Sequence, residues 1–168
     1  MSKISKKTAY ITQAALIAAI YTVLTMIAAG FDLASGAIQV RFSEALTIRP
    51  FFTPAAIPGL TLGCLLSNIL TGCALPDIIF GTLATLLGAL GSYALRSNRF
   101  LCAIPPIVSN ALIIPFILTY AYHIPGGIPL FMLTVGTGEL ISCMGLGQLL
   151  LQALLPFRGR FFGPGSME

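Results

Sequence analysis

The chain carries five acidic side chains and one histidine in 168 residues, so each acid can be weighed individually. Glu139 falls inside an uncharged run from about Pro129 to Leu155. A carboxylate that deep in hydrocarbon costs about 2.5–3.5 kcal/mol on insertion scales, so it should face the bundle interior and have a partner. It is either a structural ion pair or packed protonated acid, or a ligand contact, and the ligand contact is the reading favoured here. Glu44 and Asp77 each open an apolar segment, where an acid complements the helix dipole and caps free N–H groups. Taken with Glu139, they would also make a pocket for a cation or a donor-rich heterocycle, because an ionised carboxylate only accepts hydrogen bonds.

Arg41 either pairs with one of these acids or points at a ligand carbonyl. Asn68 and Asn110 lie inside apolar spans, where an amide needs partners. They bond helix to helix, or read the edge of a base. Phe42, Phe80, Tyr120, Tyr122 and Phe131 could stack on a planar ligand, although each alone fits core or lipid-facing packing as well. In the first span, Ala14, Ala15, Ala18 and Ala19 form two overlapping small-x-x-x-small pairs that let another helix approach closely. Spacing alone does not say whether that helix belongs to this chain.

Other chemistries lack their residues. The lone His123 excludes sites needing a histidine pair. Cys64, Cys73, Cys102 and Cys143 show no C-x-x-C spacing and read as small packing residues, so no metal site is expected. Without a nucleophile–base set, an intramembrane enzyme has little support. No P-loop occurs, so active uptake would need a partner or an ion gradient.

The elements that must hold these residues are set by composition. The chain is 57% hydrophobic and only 8% charged, with a mean hydropathy of +0.95, against roughly 25% charged in an ordinary soluble domain. Its solvent is mostly lipid, and the expected fold is an all-α integral membrane protein of one domain. Lys3, Lys6 and Lys7 mark a basic terminus (residues 1–7), followed by six helices between residues 8 and 157 and a tail over 158–168. The first helix covers Thr8 to Phe31, and the second is short, running one to two turns beyond Glu44. A proline-rich reversal at Pro50, Pro54 and Pro58 leads to a third, from about Pro54 to Thr71. The fourth opens at Asp77 and closes at the basic loop Arg96 to Arg99. The fifth runs from about Leu101 to Tyr122, and the sixth from about Pro129 to Leu155 after the turn His123 to Gly127. An even number of crossings with cytoplasmic N- and C-termini puts Lys3/Lys6/Lys7, the 96–99 loop and Arg158/Arg160 on the inner side, with Arg49 near it and only Arg41 outside.

The segments V-R-F-S-E-A-L-T-I (Val40–Ile48), F-F-T-P-A-A-I-P-G-L (Phe51–Leu60), G-C-L-L-S-N (Gly63–Asn68), D-I-I-F-G-T-L-A-T-L (Asp77–Leu86) and G-E-L (Gly138–Leu140) resemble the QueT family. Its members are substrate-binding S components of energy-coupling factor (ECF) transporters. The resemblance implies a multi-pass protein of the bacterial plasma membrane, not an enzyme, that captures a queuosine precursor. That ligand would be 7-aminomethyl-7-deazaguanine, queuine or a related deazapurine. Implied partners are a transmembrane T component, two cytosolic ATPases and the lipid bilayer, without nucleic acid. ATP would be used by the ATPases, and this chain would hold no cofactor. By the same resemblance Arg41, Glu44, Asn68, Asp77, Asn110 and Glu139 would bind substrate, while Ala14, Ala15, Ala18 and Ala19 would dock on the scaffold. Arg49 departs from the aliphatic residue expected before Pro50. The alternative from the residues alone is a stand-alone ion- or proton-coupled carrier using Glu139.

Overall fold

The computed structural model describes residues 3–31 and 42–157, apart from the side chains of residues 3–5, Arg49 and Phe157. Arg41, Arg158, Arg160 and the 158–168 tail lie outside the described residues. All regular structure described is helical. We label α1 Lys3–Gly30, α2 Ala56–Leu70, α3 Asp77–Ala94, α4 Leu101–Tyr120 and α5 Ile128–Leu154. A 3₁₀ segment, Phe42–Phe51, lies between α1 and α2.

Each of the six expected segments is helical, but their lengths differ. α1, α3, α4 and α5 are long and apolar enough to cross a membrane. At 15 residues, α2 rises only about 22 Å, short of a hydrocarbon core of about 30 Å. The ten-residue 3₁₀ segment rises about 20 Å. Proline density sets both limits: Pro50 falls in the last turn of the 3₁₀ segment, and Pro58 in the first turn of α2, where its missing N–H costs nothing. At its other end, α2 stops where Gly72 turns left-handed (φ 71°). There the Cys73 N–H reaches back to Asn68 O at 2.9 Å, the arrangement that closes a helix on its orphan carbonyls.

Consecutive helices pack as neighbours from α1 to α5, and the 3₁₀ segment is wedged among α1, α3 and α5. Bare glycines allow the close approaches. A Cβ on Gly59 would stand 2.8 Å from Ala14 O, and one on Gly63 would stand 2.8 Å from Tyr21 Cβ, so α1 and α2 meet nearly backbone to backbone. Gly88 and Gly91 do the same for α3 against Pro106 and Pro105 of α4. Three buried clusters result. One joins Ile17, Tyr21, Leu46, Leu60 and Cys64. A second joins Ile48, Phe52, Cys102, Cys143 and Leu151. The third joins Ile114, Ile117, Phe131 and Val135. Hydroxyls in lipid need acceptors, and many find them on their own helix: Thr22, Thr25, Thr61, Thr82, Thr85 and Thr119 each donate to the carbonyl four residues earlier.

Candidate functional site: a buried polar seam across the bundle

The wedged 3₁₀ segment carries Glu44 in its first turn and holds it 1% exposed. From α1, the Tyr21 hydroxyl donates to Glu44 Oε1 at 2.6 Å. Thr47 Oγ1 donates to the Glu44 carbonyl at 2.6 Å, tying the turn to itself. From α5, Cys143 Sγ lies 3.6 Å from that carbonyl and 3.5 Å from Glu139 Oε2. Donor atoms of Glu44, Glu139 and Cys143 all fall within 4.8 Å of one another. Residues almost a hundred positions apart thus share one buried point, with Glu139 about 16 Å of helix rise from the start of α5.

A second group lies at the N-terminal end of α3. Asp77 is 7% exposed, and its Oδ2 accepts from the Tyr122 hydroxyl at 2.9 Å. Tyr122 in turn accepts from the Ala74 N–H at 3.1 Å, joining the turn after α4 to the turn before α3. Burial first, with the Asp77 carboxylate adding to it, pushes the Tyr122 phenol well above its usual range. Asn68 Nδ2 donates to the Asp77 carbonyl at 3.3 Å and to Cys64 Sγ at 3.7 Å. Asp77 Oδ1 has no hydrogen-bond partner among the described residues. A Cβ on Gly81 would stand 2.8 Å from that oxygen and 3.3 Å from Asn68 Nδ2, so the bare glycine makes the room the carboxylate occupies.

Because Cys64 packs in the same cluster as Tyr21, the two groups are the ends of one seam: Glu139, Cys143, Glu44, Tyr21, Cys64, Asn68, Asp77, Tyr122. Asn110 on α4 is 2% exposed, and its Nδ2 lacks a partner among the described residues. Ala111, next to it, faces Gly136, whose Cβ would lie 3.7 Å from Ala111 Cβ. Glu139 is one turn beyond Gly136, about 4.5 Å of rise, so Asn110 and Glu139 occupy the same layer of the bundle. α3 and α5 each leave the regular α spacing beside an acid: Asp77–Gly81 and Leu140–Leu146 are π-helical, a feature frequent at functional positions.

The structure divides the other expected residues. Of the five aromatics, Phe131 is buried in the core between α4 and α5, and Gly126 lies over its ring, 2.6 Å from Phe131 Cζ to a virtual Cβ. Phe80 and Tyr120 instead line an apolar groove of about 480 Å³ between α3 and α4. Among the alanines, Ala14 and Ala18 are buried against α2, whereas Ala15 and Ala19 are exposed. Tyr21, Thr47, Cys143 and Tyr122 join the seam without having been assigned there from sequence as polar partners. The signal that sequence offers for any of these contacts is the Glu139–Cys143 spacing of four, which puts both on one helix face, and it was not used.

A family profile described as "QueT transporter" matches residues 11–156. The Queuosine precursor transporter QueT of Lactococcus lactis subsp. cremoris is 40% identical over 80 residues, 48% of this chain and 47% of that protein. The chain therefore aligns with about half the length of that relative. No solved structure matches it. The profile covers α1 from its first turns through α5, including every acid of the seam, and the chain belongs to the QueT transporter family.

Proposed function

We propose that the chain is the substrate-capture subunit of an ECF-type transporter, binding a queuosine precursor from the outer side and handing it to partners that hydrolyse ATP. Family membership gives the transport role, and the relative's name gives the substrate class. The observation that carries the site is the meeting of Glu44 and Glu139 inside the bundle. A guanine-like ring presents adjacent N–H donors that one carboxylate can take in pairs, and an aminomethyl arm is cationic at neutral pH and wants another. Asn110, in the layer of Glu139, has an amide nitrogen without a partner among the described residues, a donor able to read an acceptor edge. Asn68 spends its N–H groups on Asp77 O and Cys64, so its part is to hold the start of α3 in place.

In this reading both ends of the chain are cytoplasmic, four long helices cross the membrane, and the shorter 3₁₀ segment and α2 pair as the remaining two of six helices, entering and leaving on the same side. Ala15 and Ala19 face outward from α1 toward the T component, and Arg41 keeps the substrate-binding role that the family resemblance implies. Sequence patterns support these points: the basic residues gather on one side, and the chain has no P-loop of its own.

The test is a titration of the purified chain in detergent with 7-aminomethyl-7-deazaguanine, queuine, guanine, riboflavin and thiamine. The reading expects sub-micromolar selectivity for one deazapurine, lost in Glu139→Gln. Binding of none of them, or preference for a vitamin, overturns the substrate. Uptake by this chain alone in vesicles, abolished by an uncoupler and indifferent to ATP, would instead establish an ion- or proton-coupled carrier using Glu139.

A further inference from the structure

Ser142 breaks the pattern set by the threonines of the helices. Thr22, Thr25, Thr61, Thr82, Thr85 and Thr119 donate to the carbonyl four residues earlier, and Ser109 does the same. Ser142 is 0% exposed, yet its Oγ has no hydrogen-bond partner among the described residues. It lies within the π-helical stretch Leu140–Leu146. A buried polar group left unpaired keeps its whole desolvation penalty, so the fold leaves a hydroxyl here that it does not itself use. Asn110 Nδ2 is in the same condition, buried and without a partner among the described residues.

Both groups belong to the interface of α4 with α5. Phe131, Val135, Gly138 and Ser142 are buried and spaced four, three and four apart, which makes them one stripe of α5. Phe131 and Val135 of that stripe pack against Ile114 and Ile117 of α4. Asn110 is one turn before Ile114, on the same face of α4. Ile107, in turn, packs on the cluster that holds Cys143, so Asn110 is bracketed between the levels of Val135 and Cys143. Ser142 stands three residues beyond Glu139, about 4.5 Å of rise from the layer of Asn110. Gly138, between Val135 and Ser142 on the stripe, adds no side chain there.

An amide nitrogen only donates, and a hydroxyl can donate as well. Two idle donors on one interface suit a single acceptor with two lone pairs, which is a carbonyl oxygen. We propose that Asn110 and Ser142 together hold a ring carbonyl oxygen of the substrate, with Ser142 as a specificity-determining residue. The inference rests on the proposed function, because a guanine-like ring carries its carbonyl beside a ring N–H. One edge of such a ring offers oxygen to the two donors and hydrogen to the adjacent acid, Glu139. A ring with an amino group in place of the carbonyl sets donor against donor at Asn110 and is rejected.

The experiment has two arms, both on the full chain in detergent. Thermal unfolding without ligand compares the parent with Ser142→Ala. The variant should unfold at the same or a higher temperature, because an unpartnered hydroxyl holds nothing in the fold. A lower temperature would reveal a structural partner and overturn the assignment. Calorimetric titration with 7-aminomethyl-7-deazaguanine should find binding by Ser142→Ala about three- to tenfold weaker, the loss of one neutral hydrogen bond. Asn110→Asp, which sets an acceptor where the donor stood, should bind at least tenfold more weakly. Replacing the ring carbonyl oxygen by sulfur, a weaker acceptor, should cost the parent severalfold and Ser142→Ala less, since the two changes delete one shared bond. Equal losses in parent and variant overturn the pairing. Deazapurine binding that is indifferent to Ser142→Ala defeats this subsite and leaves the proposed function standing. Riboflavin also carries ring carbonyls; if it binds instead and Ser142→Ala weakens it, the subsite stands and the proposed substrate fails. Binding of neither defeats both.

Discussion

Tyr21 and Glu44 are joined by a hydrogen bond of 2.6 Å between the first helix and the 3₁₀ segment. The bond fixes a buried carboxylate whose backbone carbonyl also faces Cys143. Removing the phenolic oxygen keeps the ring in its cluster with Ile17 and Leu60 and deletes the donor to Glu44.

Tyr21→Phe should therefore lower stability by about 1–2 kcal/mol, the range for such a bond inside a helical membrane protein. Thermal unfolding in detergent checks this. A variant as stable as the parent would show that the bond contributes nothing.

The α1–α2 contact is as tight as bare glycine allows. A Cβ on Gly63 would fall 2.8 Å from Tyr21 Cβ and 3.0 Å from the Ala18 carbonyl, with backbone on one side and no flexible chain end to yield. Gly63→Val should destabilise the chain by about 2–3 kcal/mol through overpacking. Gly145→Ala, with nothing within 4 Å, should cost less than about 0.5 kcal/mol. Comparable losses from both would contradict the close approach.

The Tyr122–Asp77 tie has a signature in alkali. The phenol is held above its ordinary value of 10.0 by burial and by the neighbouring carboxylate. A raised folded-state value means the interaction is intact at neutral pH, and its stabilisation is lost only as pH rises above about 10, where the unfolded chain ionises first. The difference in tyrosinate absorbance between the parent and Tyr122→Phe should thus appear only at the top of the titration. A difference already complete near pH 10 would show that the phenol is not held by Asp77.

Much of this was legible in the sequence, because lipid imposes a simple rule: an ionisable group inside an apolar run must be accounted for. That rule singled out Glu139, while Glu44 and Asp77 stood out as acids opening helices, and the prolines at 50, 54 and 58 marked the reversal between the 3₁₀ segment and α2. Which acids would meet was not legible. Pairing Glu44 with Glu139, and Asp77 with Tyr122, depends on where the 3₁₀ segment wedges, a long-range packing outcome without local periodicity. Cys143 was hidden by its own chemistry, since a lone cysteine in an apolar run packs like a small hydrophobe. The alanine motif was half legible: spacing gave two small-residue pairs, but the glycines of α2 decided that Ala14 and Ala18 face inward.

The proposed function sets a buried carboxylate against the ligand's cationic arm, and with Glu139 as that acid it is tested most directly by a double-mutant cycle across the binding interface. Calorimetry would give the affinities of 7-aminomethyl-7-deazaguanine and of 7-deazaguanine for the parent chain and for Glu139→Gln. Removing the amine and removing the carboxylate should each weaken binding tenfold or more, and removing both should cost little beyond either alone, because they delete one shared interaction. Losses that simply add would place the amine elsewhere and contradict the account.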